Sequence, residues 1–246
     1  MSLFNLFRRF RNKKTKEREQ NAKSDNIAGK NDFVEGNIND KSDRCYEDCR
    51  SSFYKLEDLK SRSMGALMLV PYDAQAYLEY DDANLLRLLA NSDKIRKYLP
   101  GLNFSDESSI KKMLYTCILQ TESQLGVTYV IRKGLFPLGM IFIHTPLFNK
   151  KAINLSVWTI DFFILEMAEH QGIMFQSLIR TLHEMKTIMN VDVVYALVDK
   201  NNTDCINLIG RGLFSEVDNT GFENNINGEK PLVYMLNLST INFVKK

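Results

Sequence analysis

At 246 residues, with 44% hydrophobic and 25% charged residues, the chain has the make-up of a soluble globular protein, with room for one large domain or a medium domain plus extra segments. A formal net charge of +2 gives no strong overall field, so composition lends nothing to a nucleic-acid-binding role. The sequence has no run of about eighteen apolar residues that could span a bilayer, and the apolar residues at its start alternate with arginines, unlike a secretory signal. Cys45, Cys49, Cys117 and Cys205 form no disulfide framework of the secreted kind, and a cytoplasmic location is the expectation.

The chain divides by composition into residues 1–62 and 63–246. Leu3, Phe4, Leu6, Phe7 and Phe10 share one helical face, while Arg8, Arg9, Arg11 and the following lysines supply the other. That pattern suits a helix at an anionic membrane surface, so residues 1–18 are a candidate for peripheral membrane contact; docking on the chain's own domain is the alternative. Gln20–Arg44 is dominated by Asn, Asp, Lys, Ser and Gly and buries too little apolar surface to offset ordering, so it reads as a flexible linker. Asp43–Lys60 carries Tyr46, Cys49, Phe53 and Leu56 at helical spacing and predicts a short helix packed on the domain. Cys45 and Cys49 lack the further ligands that a metal site needs.

Ala66–Val70 is an apolar run closed by Pro71, as in a strand that stops at a proline. Asp73 follows as a helix N-cap, with Ala76, Tyr77, Tyr80, Leu85, Leu86 and Leu89 spaced for one or two amphipathic helices. Pro100 and Gly101 break the pattern, and Ser105 opens another helix whose apolar stripe is Ile110, Met113, Leu114, Cys117 and Ile118. Val127–Arg132 and Leu138–His144 flank a turn with Gly134 and Pro137 and read as an antiparallel hairpin. Ile153–Leu165 is a long strand-like run interrupted by Asp161. A helix from Gly172 to about Asn190, a strand at Val193–Val198, a short helix at Thr203–Arg211 and a strand at Pro231–Leu238 complete the order. Antiparallel hairpins plus a strand–helix–strand crossover imply a mixed α/β fold.

This order is that of the GNAT acetyltransferases, and particular residues resemble their ribosomal-protein N-acetyltransferase-like branch. Ile160–Met174 reads IDFFILEMAEHQGIM, similar to that branch's strand, acyl-CoA loop and helix; Gly172, Ile173 and Met174 match the end of the loop, and Ser177-Leu178 match the Ala-Leu that usually follows. A loop of backbone N–H groups at a helix N-terminus binds pyrophosphate through aligned dipoles. Against the family pattern Gln/Arg-x-x-Gly-x-Gly/Ala, the central Gly172 is kept and Glu169 brings a carboxylate near the expected pyrophosphate, while against the branch's typical IGYWLDPEYRGKGIM His170 stands where that stretch has its first glycine after the arginine. Asp199–Phe214, DKNNTDCINLIGRGLF, is similar to the family's N-x-x-S-x-x-L-x-x-x-x-G-F through Asn202, Cys205, Leu208 and Phe214, with Cys for Ser and Leu213 for Gly. LMLVPYDAQAYLEY resembles the opening strand and helix.

The resemblance implies a GNAT fold with a mixed central sheet flanked by helices, behind a largely disordered N-terminal extension. It implies an enzyme that transfers acetyl from acetyl-CoA to a primary amine, on a protein N-terminus or a small molecule, by direct attack. Phe163, Ile164 and Leu165 would present backbone donors to the pantetheine arm and thioester carbonyl. His170, Gln171, Gly172, Ile173 and Met174 would cradle the pyrophosphate, and Asn202 and Cys205 would face the pantetheine and thiol. Asp161 is the candidate general base, with a surface carboxylate as its alternative, and Glu166 a weaker one. Cys205 is the candidate acid at the departing thiolate, with a buried small residue as its alternative. His144 and His183 read as structural or solvated residues, and Trp158, Phe162 and Phe163 as core. The rival is a catalytically degenerate GNAT-fold interaction module, tethered to a membrane or partner through the basic N-terminus. Oligomeric state is left open.

Overall fold

A computed structural model of the chain describes residues 54–246, except for 81–84, 86–88, 90–91, 100–105, 147–156, 212, 220, 223–228, 242 and 244–246. The expectations for the basic tail, the linker and Cys45 and Cys49 lie outside the described residues. Strands β1 (Arg62–Met64), β2 (Leu67–Pro71), β3 (Gly126–Lys133), β4 (Phe136–His144), β5 (Trp158–Ile164), β6 (Val193–Val198), β7 (Ser215–Val217) and β8 (Leu232–Asn237) form one sheet in the order β1-β2-β3-β4-β5-β6-β8-β7. Every neighbouring pair is antiparallel except β5 with β6, whose parallel alignment follows from the helix that crosses between them. The helices are α1 (Ala74–Glu79), α2 (Asp93–Tyr98), α3 (Glu107–Glu122), α4 (Ile173–Thr187) and α5 (Thr203–Ile209).

Alternation along the strands sorts the two faces. Leu69, Tyr129, Ile131, Ile141, Ile143, Ile160, Val194 and Ala196 pack with Met174, Leu178, Leu182 and Met185 of α4 and Ile209 of α5 in the main core. Val70, Ala76 and Tyr80 pack on the opposite face, where α1 lies. Helix α3 is bonded to β3 at its C-terminal end, where the Thr128 amide donates to Thr121 Oγ1 at 3.3 Å. The far end of α4 is tied to the sheet through a buried carboxylate. Glu184 accepts from the Tyr129 hydroxyl at 2.8 Å and from Arg62 Nε at 2.8 Å, so its charge is matched where water is scarce.

Local chemistry set most element ends. Asp73 caps α1 by accepting from the Ala76 amide at 2.8 Å, as its position predicts. Asp106 caps α3 by accepting from Ser109, one residue later than the Ser105 start expected from sequence. Strands β1 and β7, RSM and SEV, were not expected, because three residues with no apolar alternation carry no signal of their own and form by pairing with β2 and β8. The strand run expected from Ile153 is described as β5 from Trp158, since 151–156 lie outside the described residues. Of the helix expected at Asp43–Lys60, the described part holds a single 3-10 turn, Leu56–Asp58. Just before it, Tyr54 is buried and its hydroxyl donates to the Gly126 carbonyl at 2.8 Å, fixing this segment to the start of β3.

Candidate active site

The site begins where β5 and β6 part. The two strands pair at Trp158 with Val194 and Thr159 with Tyr195, and their pairing goes no further. Beyond that point β5 stays bonded to β4 through Ile164, and β6 to β8 through Val198, so each keeps one edge open toward the other. A cavity of about 320 Å³ occupies the split, walled by Ile160–Ile164 on one side and Ala196–Asp199 on the other. Crevices at the carboxyl ends of parallel strands are where α/β sheets take ligands.

Backbone direction decides which amides reach the cleft. The Leu165 N–H donates to the Leu138 carbonyl at 2.8 Å, facing β4. Backbone groups alternate sides along a strand, so Phe163 and Asp161 also turn toward β4, while Ile160, Phe162 and Ile164 turn toward the cleft. Of the expected donors, Ile164 therefore fits; Leu165 is spent within the sheet, and Phe163 contributes a ring, 6.1 Å from that of Phe142. Phe162, expected from sequence to be core, has its amide on the same cleft-facing edge as that of Ile164.

The loop from β5 to α4 ends in two left-handed residues, His170 at φ 58° and Gly172 at φ 73°. The His170 position is the one where the family uses glycine, and the backbone there takes the conformation that glycine tolerates best. Gln171 folds back, its Nε2 donating to the Met167 carbonyl at 3.0 Å. Helix α4 has no side-chain cap and no acidic residue in its first turn. Its first internal bond is Gln176 N–H to Gly172 O, which leaves the amides of Ile173, Met174 and Phe175 without helical acceptors at the cavity wall. Uncapped donors at the positive end of a helix suit an anion.

Glu169 does not oppose that anion site alone. Lys94 of α2 donates to Glu169 at 2.8 Å and to Asp204 of α5 at 2.7 Å, bridging three elements at the cavity mouth. Burial works against the Lys94 charge, but the bonds to Asp204 and Glu169 outweigh it and hold the ammonium above its ordinary range; the same bond lowers Asp204. Tyr98, on the same helix, donates to the Asn201 carbonyl at 3.2 Å, so α2 is moored both to α5 and to the turn that precedes it. Nothing local in the sequence marks Lys94, since the fold alone brings it to a loop 75 residues away.

At the inner end, Asp161 lines the cavity, and its Oδ2 lies 3.1 Å from His144 Nε2 on β4. Both side chains are largely enclosed, 12% and 21% exposed. His144, expected from sequence to be structural, is made the neighbour of Asp161 by the β4–β5 register, which sets it opposite Thr159. Asn202 caps α5 by accepting from the Cys205 amide at 3.2 Å, and it lines the cavity. Cys205 lies on the cavity wall, and burial, with the charges of Asp161 and Asp204, pushes its thiol up to about 12, so it stays protonated. Glu166 sits in the short turn after β5, outside this constellation.

The arrangement thus brings strand amides, an uncapped helix end, a carboxylate and a thiol along one cavity. No protein-family model and no curated protein sequence matches the chain. Among solved structures it is similar to a Vibrio fischeri ribosomal-protein-S5-alanine acetyltransferase, at 13% identity and TM-score 0.57, covering 73% of this chain and 97% of that one. It is similar to the ribosomal-protein acetyltransferase RimL in complex with coenzyme A, at 18% identity and TM-score 0.55, over 71% of this chain and 94% of the other. Mycobacterium smegmatis RimJ in complex with CoA-disulfide matches at 16% identity and TM-score 0.53, over 70% and 81%. Strand order, the split between the parallel strands and these likenesses together give the chain the GNAT acetyltransferase fold, in the form seen in the ribosomal-protein N-acetyltransferases.

Proposed function

We propose that the chain is an acetyl-CoA-dependent N-acetyltransferase acting on a primary amine, at a protein N-terminus or on a small molecule. The observation that carries this reading is the open edge of β5 meeting the uncapped N-terminus of α4 along one cavity. The likeness to acetyltransferase structures, two of them in complex with coenzyme A or its disulfide, supports it.

Acetyl-CoA supplies an activated acetyl group and a leaving thiolate. The Ile173–Phe175 amides, relieved of Glu169 by Lys94, hold the pyrophosphate. Phe162 and Ile164 offer amides to the pantetheine arm and the thioester carbonyl, where a fixed donor favours charge building on oxygen. Asp161 takes a proton from the incoming ammonium, because only the neutral amine is a nucleophile. Cys205, held neutral, donates a hydrogen bond to the departing sulfur; with its thiol at about 12, it shares its proton rather than surrendering it. Asn202 orients the arm through Nδ2 while capping α5.

The test is turnover of acetyl-CoA, read as free thiol, against a panel of N-terminal peptides and small amines. Release of thiol that depends on an amine and falls about 10²–10⁴-fold in Asp161→Asn supports the reading. Binding of acetyl-CoA without transfer to any amine would favour an interaction module instead.

A further inference from the structure

We propose that Arg211 binds the 3′-phosphate on the ribose of acetyl-CoA, so that the site selects coenzyme A over donors lacking that group. The inference rests on the acetyl-CoA reading and names a residue for the end of the donor farthest from the chemistry. Arg211 lies in the turn after α5, is exposed, and lines the cavity that the open edge of β5 and the uncapped end of α4 also line. Lys94 on the same wall is committed to Glu169 and Asp204, whereas Arg211 makes no ion pair among the described residues.

Spacing along α5 sets where the guanidinium stands. Asp204, Leu208 and Arg211, four and then three residues apart, fall on one helical stripe, and all three line the cavity. Cys205, near enough to Asp161 to feel its charge, precedes Arg211 by six residues, about 9 Å at the helical rise. The wall thus runs from a thiol to a cation, the direction in which acetyl-CoA runs from its thioester to its phosphates. Coenzyme A carries a pyrophosphate within its chain and a phosphate monoester on the ribose 3′ oxygen. The amides of Ile173, Met174 and Phe175 suit the pyrophosphate. The monoester, with about two negative charges, then needs a cation of its own. A guanidinium offers paired N–H donors in the plane that two phosphate oxygens match. Arg211 also follows the negative end of α5, which favours a cation with no ligand bound. A charge kept there for the helix alone is indifferent to the 3′-phosphate, and the experiment reads that difference.

The experiment titrates full-length wild type, Arg211→Gln and Arg211→Lys with CoA and with 3′-dephospho-CoA by calorimetry. Wild type should bind CoA about tenfold more tightly than 3′-dephospho-CoA, the worth of a hydrogen bond between charged groups. Arg211→Gln should lose that preference by binding CoA more weakly, with its affinity for 3′-dephospho-CoA unchanged. Arg211→Lys, which keeps the charge without the paired donors, should retain part of it. A wild type without preference, a preference that survives in Arg211→Gln, or an equal loss for both ligands overturns the role of Arg211 while leaving the acetyl-CoA site intact. Should Arg211→Gln fail to fold, phenylglyoxal labelling of the wild type decides: Arg211 shielded by saturating CoA but not by saturating 3′-dephospho-CoA supports the contact, and equal labelling refutes it. A wild type that binds neither ligand removes the reading on which the inference rests, and the inference with it.

Discussion

Replacing Gly172 with alanine separates what the loop costs from what it does. Gly172 sits at φ 73°, and a Cβ built there meets nothing within 4 Å, so Gly172→Ala introduces no clash and its cost is the left-handed backbone alone. For an L-residue that is about 1–2 kcal/mol, which in a domain of this size lowers the melting temperature by about 2–8 °C. The added methyl stands in open space at the wall of the cavity, where the amides of α4 are proposed to receive a phosphate. Acetyl-CoA at a hundred times its dissociation constant should stabilise the wild type by about 2.7 kcal/mol, and Gly172→Ala should lose most of that gain at the same ligand concentration. Gly134→Ala is the control, because Gly134 in the β3–β4 turn has φ 58° and equally open surroundings but lies away from the cavity. It should show the same thermal loss and keep the full ligand shift. Thermal melts of the three proteins with and without acetyl-CoA read both effects. A Gly172→Ala variant that is destabilised as expected, yet binds acetyl-CoA like wild type, would refute the assignment of this loop to the pyrophosphate.

Other outcomes follow from the same contacts. Lys94→Met should cost little stability, about 0.2–1 kcal/mol, because Lys94 is 43% exposed and screened, but should weaken acetyl-CoA binding by freeing Glu169 beside the anion site. Asp204 is lowered from its ordinary 3.8 and Lys94 raised from its ordinary 10.5, so the bridge's stabilising effect is complete between these values. It fades as pH falls through the Asp204 value or rises through that of Lys94, and the melting difference between Lys94→Met and wild type should be flat from pH 5 to 9 and vanish in acid. Tyr129→Phe leaves a buried Glu184 oxygen short of a donor and should cost about 1–3 kcal/mol, seen in chemical denaturation with ligand binding unchanged. Cys205, half-buried and with its thiol pushed up to about 12, should resist iodoacetamide at pH 8, where about one molecule in ten thousand is thiolate; peptide mapping that finds rapid labelling of Cys205 would contradict that shift.

The fold was legible where side-chain pattern and local chemistry agree. The Asp73 cap, the β3–β4 hairpin, the α4 stripe and the Val193–Val198 strand each carry their own signal, and their order pointed to the fold. What stayed hidden depends on partners distant in sequence. Strands β1 and β7 exist through pairing, the direction of the Leu165 amide follows from its bond to Leu138, and Lys94 reaches Glu169 across the fold. The same holds in the site. Cys205, Gly172 and Asn202, singled out by their places in motifs, and Asp161, singled out by its place on a strand, line one cavity. His144 was passed over because a histidine at a strand end carries no signal until register sets it beside Asp161.

Calorimetric titration of the full-length chain with acetyl-CoA and with CoA tests the proposed acetyl-CoA site most directly. Saturable binding of acetyl-CoA in the micromolar range, weakened in Gly172→Ala and preserved in Gly134→Ala, is the predicted result. No heat of binding at millimolar acetyl-CoA, from a protein that melts cooperatively, would contradict the cofactor site and with it the proposed transfer.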